Sequence, residues 1–156
     1  MKLLKKKEIL RLLREKTLSI EPFESSFLEK LGYNIRIGDT VMVWDRYSLD
    51  FVDFDKNMKR YVEKFKLKKN IYFPLHSNET VIVKSLESIR LPEDVLGILH
   101  TKAKRPLYGL IVHTSGGIIH PGWSGNLLLP ITNIGNITIR LTKGDPIAFV
   151  TFWKLD

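Results

Sequence analysis

Cysteine is absent from all 156 residues. That excludes disulfide staples and thiolate metal sites, and it fits a cytoplasmic setting. No apolar run approaches the ~18 residues that a membrane-spanning helix needs. The opening MKLLKKKEILRLLREK is charged throughout and has no apolar centre of the kind a signal peptide carries. Acidic residues are scarce as well: 17 Asp and Glu stand against 25 Lys and Arg, a formal charge of +8. Such an excess favours anionic partners, phosphates and nucleic acid among them.

What is present suffices for a single domain over residues 1–156. Hydrophobic residues make up 44% of the chain, enough for a proper core at this length. Residues 3–15 read as a short amphipathic helix, with Leu4, Ile9, Leu12 and Leu13 to one side and a basic opposite face. Residues 33–44 alternate as a hairpin would, with Gly38-Asp39 as its turn. Residues 80–84, 95–99, 137–141 and 146–153 read as further strands, with Leu91-Pro92-Glu93-Asp94 and Lys143-Gly144-Asp145 as turns. Many short strands with regular turns imply an all-β sandwich or barrel-like domain. Residues 45–70 form a charged insertion that begins acidic and ends basic. Spacings of three and four among Met58, Tyr61, Val62 and Phe65 predict a short helix there. Basic residues interleaved with aromatics over 56–69 make nucleic acid one candidate partner.

The densest pattern lies at 109–133, GLIVHTSGGIIHPGWSGNLLLPITN. Apolar runs alternate with Gly, Pro, Ser and Asn clusters, as in buried strands joined by tight turns. Here Gly109-Leu110-Ile111-Val112-His113, then Ile119-His120-Pro121-Gly122-Trp123-Ser124-Gly125, then Asn133-Ile134-Gly135 follow in order. Upstream stand Ile20-Glu21-Pro22-Phe23, Tyr33-Asn34-Ile35-Arg36-Ile37-Gly38, and residues 89–97, reading IRLPEDVLG. Together these motifs resemble those of the dCTP deaminase and dUTPase superfamily. The resemblance implies a distorted jelly-roll or β-barrel of the dUTPase-like (β-clip) type with a short N-terminal helix. It further implies a homotrimer with sites between subunits and a deoxynucleoside triphosphate as ligand, with magnesium accompanying it.

The same alignment shows where this chain departs from the family. Lys102-Ala103-Lys104-Arg105 takes the place of the phosphate-binding Arg-Ser-Ser-Leu. An arginine grips phosphate bidentately, whereas lysine is a point charge, and both serine hydroxyls are gone. His120 stands where the family has the aspartate of Ile-Asp-Pro-Gly. Pro130 stands where the deaminases have the glutamate that shuttles protons, and a proline transfers none; in a strand it also marks an edge or a bulge. No Gly-rich closing arm follows the last strand. The resemblance therefore implies no catalytic residue and no metal ligand. Its binding candidates are Lys102, Lys104, Arg105, Gly116, Gly117, His120 and Trp123. Three readings stand side by side: a silent nucleotide- or polyanion-binding relative, an enzyme with a rebuilt site around His120, and a nucleic-acid-binding or assembly protein on the same fold.

Overall fold

The computed structural model describes residues 1–47, 49–54, 57–113 and 117–156. Two short strands, β1 (Lys2–Leu3) and β2 (Ser19–Glu21), flank helix α1 (Lys6–Arg14). The helix begins at Lys5, whose backbone N–H donates to the Glu8 carboxylate, and it buries Ile9 completely. Its bounds fall inside the expected 3–15, because Lys2 and Leu3 pair with Lys154 and Trp153 instead.

The fold is organised around β3 (Gly32–Trp44). Tyr33, Ile35, Ile37 and Val41 are wholly buried on its core face. Asn34 and Arg36, on the opposite face, are buried as well. There Arg36 lies 4.3 Å over the Phe27 ring, and Asn34 donates to the Phe27 carbonyl at 3.0 Å. The predicted hairpin over 33–44 is therefore wrong: this is one continuous strand. Gly38 is there for close approach, since a Cβ would meet the Lys84 carbonyl oxygen at 2.5 Å. Gly38-Asp39 marks an exchange of neighbours. Before it β3 pairs with β12 (Pro146–Lys154); after it, with β4 (Val62–Lys66).

β4 corrects the second expectation. Residues 58–65 form a 3-10 turn, Met58–Arg60, and then an edge strand rather than a helix. The three- and four-residue apolar spacing fitted both geometries, and pairing of Val41 with Phe65 and of Trp44 with Val62 decides for the strand. β5 (Tyr72–Leu75) pairs with β11 (Ile139–Thr142) in a separate two-stranded sheet. The remaining strands, β6 (Thr80–Arg90), β7 (Val95–Thr101), β8 (Leu110–Val112), β9 (Ile118–Ile119) and β10 (Ser124–Asn133), complete a sheet ordered β8-β10-β6-β3-β12-β7-β9. Register shifts in the β3–β6, β6–β10 and β3–β12 pairs bend it. The result is a mostly β, curled half-barrel closed over one apolar core. In the run Leu127–Leu129 the two outer residues are buried, while Leu128 is 50% exposed on the outside.

One ion pair crosses the core wall. Glu87 on β6 is fully buried and accepts from the Arg36 backbone N–H at 2.9 Å and from Arg36 Nε at 2.6 Å. Removing one member of a buried pair leaves the other charge uncompensated, which costs about 3–5 kcal/mol. Glu87→Gln is expected to lower unfolding free energy by that amount in urea titrations. The double replacement Glu87→Leu with Arg36→Met should recover most of it.

Candidate functional site

The 102–105 segment, a binding candidate of the sequence reading, leaves β7 and turns at once. Lys102 N–H donates to the Ile147 carbonyl, and Arg105 N–H returns to the Lys102 carbonyl at 2.9 Å. A 3-10 turn, Pro106–Tyr108, follows and ends at Gly109 with φ +83°. Glycine is required there twice over, since a Cβ would also lie 2.5 Å from the Gly135 nitrogen. The buried Asn133 side chain fixes the opposing strand end. Its Oδ1 accepts from Gly135 N–H, and its Nδ2 donates to the carbonyls of Leu75 and Ile137. The Asn-Ile-Gly motif thus holds the 102–105 turn in place.

The three cations of that turn do not converge. The Lys102 ammonium sits 2.6 Å from Glu29 Oε1 and 5.8 Å from the Phe149 ring centre. Asn34 Nδ2 donates to the same carboxylate oxygen at 2.8 Å. Lys104 is exposed. Arg105 turns the other way; its Nε donates to the Pro146 carbonyl at 2.8 Å. It lines a cleft of about 610 Å³ bordered by Leu107, Tyr108, Ile137 and Arg140. Among the described sequence-derived candidates, only Arg105 reaches that cleft.

The hairpin residues lie elsewhere. Gly116 falls outside the described residues. Gly117 already uses its carbonyl, which accepts from Leu99 N–H at 2.7 Å. His120 is exposed, and its carbonyl accepts from Trp123 N–H at 3.1 Å. Gly122 has φ +73°, and a Cβ there would meet Glu93 Oε1 at 2.6 Å. Trp123 is 39% exposed, with its indole N–H donating to the Gly125 carbonyl.

Pro130 lies inside β10, which has β6 on one side and β8 on the other. Its carbonyl accepts from His113 N–H at 2.8 Å, just past the last β8 pair, Ile131 with Val112. The proline nitrogen faces the same side and has no N–H to return to that strand, so the rung between Pro130 and His113, at the end of β8, keeps one hydrogen bond and lacks the other. Beside it, His113 Nε2 lies 2.6 Å from Thr132 Oγ1, itself 2.6 Å from Thr80 Oγ1.

No Asp or Glu occurs anywhere in residues 95–144. Among the described residues no group of three or more His, Asp and Glu is placed to hold a metal ion. Magnesium prefers carboxylate oxygens, so the residues present do not fit a protein-held magnesium, and no chemical step is derived through one.

A family model described as dCTP deaminase-like matches residues 3–155. The chain belongs to the dCTP deaminase-like family. Among its relatives is the "dCTP deaminase, dUMP-forming" of Leifsonia xyli subsp. xyli, 28% identical, with 88% of this chain and 69% of the relative aligned. The protein of the same description from Nanoarchaeum equitans is 27% identical over 99% of this chain and 85% of its own length. In fold the chain is similar to the 2'-deoxycytidine 5'-triphosphate deaminase of Agrobacterium tumefaciens, with a TM-score of 0.76 at 19% identity. That match covers 97% of this chain and 46% of the solved one, so the chain spans under half of that structure. The EIAV dUTPase gives a TM-score of 0.53 at 18% identity, with 88% of both chains covered.

Sequence reading missed Glu29. It lies 73 residues from Lys102, and nothing in the local pattern at 24–30 announces a partner for a cation. The Lys102 hydrogen bond first, and that of Asn34 second, hold the Glu29 carboxyl below its ordinary pKa. A lowered folded-state pKa contributes stability that is complete above the ordinary value of 4.5 and is lost as pH falls through the lowered value. The group is half exposed, so solvent screening limits the contribution to at most about 1 kcal/mol. Glu29→Gln should remove this part of the acid dependence. Urea midpoints at pH 7 and pH 3 should lie closer together in the variant than in the parent.

Proposed function

We propose that this chain is a catalytically silent dCTP deaminase-like protein that binds a nucleotide or another polyanion through the Lys102–Arg105 turn. The observation that carries the reading is Pro130. The family resemblance puts the proton-shuttling glutamate of the deaminases at this position on β10, and no residue of β10 is acidic. Water attack on a cytosine ring needs a group that takes and returns protons, and loss of one such group costs roughly a hundredfold to ten-thousandfold. The wider stretch 95–144 supplies no carboxylate as a substitute. Binding asks less. Lys102, Lys104 and Arg105 give positive charge beside a turn fixed by Gly109 and Asn133, and the Lys102 ammonium is held by one exposed carboxylate that a phosphate can displace. A magnesium ion would arrive with a triphosphate.

With magnesium present, the purified protein is expected to release no ammonia from dCTP and no pyrophosphate from dUTP above background. Titration calorimetry should show heat of binding for at least one of these nucleotides, weakening as salt rises. His120→Asp together with Pro130→Glu should not restore turnover, because the turn still lacks both serines. Turnover by the unmodified protein that His120→Ala abolishes would replace this reading with a rebuilt active site.

The proposal includes assembly as a homotrimer. Leu128 at 50%, Ile118 at 53% and Trp123 at 39% exposure leave apolar surface outside the core. Light scattering should return about three times 18.1 kDa; a stable monomer at micromolar concentration rules the trimer out.

A further inference from the structure

The connection between β3 and β4 is closed by the Trp44–Val62 pair and by Asp45 N–H donating to the Tyr61 carbonyl at 3.0 Å. Beyond that closure the described residues include Leu49-Asp50-Phe51-Val52-Asp53-Phe54. Phe51 is 74% exposed and Phe54 is 105% exposed, and Tyr47 is at 101%. Three large rings held in water on one connection, with carboxylates set between them, are the composition of a segment that docks on an apolar, cationic surface.

Such a surface exists on the same molecule. The 610 Å³ cleft falls in the size range of about 300–1,000 Å³ for ligand pockets. Its floor includes Ile37, Leu141 and Ile147, all buried, and its rim includes Leu107 and Ile137, each at least 80% exposed. Two arginines line it. Arg105 is anchored through Nε, and Arg140 lies 4.8 Å over the Tyr72 ring. Asp145 is the one carboxylate among the described residues of the lining. Apolar floor, exposed apolar rim and guanidinium groups match an aromatic–acidic segment in shape and in charge.

We infer that the cleft receives the β3–β4 loop tip of a second copy of this chain, with Phe51 and Phe54 on the apolar floor and the loop carboxylates toward Arg105 and Arg140. The loop's own rings are exposed, so the tip does not fill its own cleft. A contact of this kind joins two different surfaces. It closes into a ring where the rotation between copies permits and otherwise runs on as a chain. It rests on the cleft and not on the proposed function, but Arg105 is shared with the proposed polyanion site, so a docked loop and a bound polyanion compete for it.

The test is a fluorescein-labelled peptide of residues 45–57 titrated with the full-length protein and followed by polarisation. Saturable one-to-one binding is expected. Phe51→Ala with Phe54→Ala in the peptide should weaken it by about tenfold or more. Arg140→Glu in the protein should weaken the parent peptide similarly, and a peptide with Asp50 and Asp53 changed to Lys should regain affinity for that variant. Ile137→Asp, a change on the exposed rim, provides a second disruption should Arg140→Glu fail to fold. No binding at about 1 mM protein, or binding indifferent to both the peptide rings and the cleft variants, overturns the inference. In the full chain, Phe51→Ser with Phe54→Ser should weaken self-association in sedimentation velocity, and unchanged association overturns it as well.

Discussion

The buried pair of Arg36 and Glu87 sets the terms for everything around it. A guanidinium sealed between two strands needs a buried counter-charge. Glu87 meets the Arg36 Nε and Glu24 its Nη1, while Nη2 is left without a hydrogen bond. β3 and β6 must therefore lie in the one register that supplies Glu87. Arg36 also pairs with Glu24 and covers the Phe27 ring. That draws the 23–30 segment over the outer face of β3, which would otherwise present polar side chains to water. Asn34, one alternation away, then reaches Glu29, and Glu29 reaches Lys102. The ion pair of Lys102 thus stands on the same outer face of β3 as the buried pair of Arg36, linked to it by the 23–30 segment that both Arg36 and Asn34 hold.

The scaffold and the proposed loss of chemistry are separate matters. Asn133, Gly109 and Gly135 hold the turn after β7 against the 133–137 segment, and Lys102 and Arg105 tie it to the start of β12. On the proposed reading, the side chains that this backbone presents are lysine, histidine and proline where the family has hydroxyls and carboxylates. Pro130 shows how little the scaffold resists. It occupies the last rung between β10 and β8, where His113 N–H still reaches its carbonyl and only the return bond is missing.

Local motifs were legible in the sequence because their causes are local. The Gly-Leu-Ile-Val-His run, the His-Pro-Gly-Trp turn and Asn-Ile-Gly owe their form to residues within a few positions of one another. The all-β character and the short N-terminal helix followed from the same patterns. Gly38 was misread because Gly-Asp usually marks a turn, whereas its reason here is the carbonyl of Lys84 across the sheet. β4 was misread because Tyr61, Val62 and Phe65 suit either period, and only pairing with Val41 and Trp44 separates them. The cleft and the Glu29 clamp join residues far apart in the chain, so their geometry had to come from the folded structure.

The acid-free stretch from 95 to 144 has an electrical consequence. Lys102, Lys104, Arg105, Arg140 and Lys143 give it +5 of the formal +8, and every one of the 17 carboxylates lies outside it. At neutral pH the charge is therefore uneven along the chain, uniformly positive over 95–144 and of mixed sign elsewhere. Its carriers sit in the turn after β7 and in and just after β11, and every carboxylate that meets one of them, as Glu29 meets Lys102, comes from outside the stretch. As pH falls through the carboxylate range, the stretch keeps its own charge while its counter-charges disappear, so acid loosens what holds these cations and leaves the cations themselves unchanged.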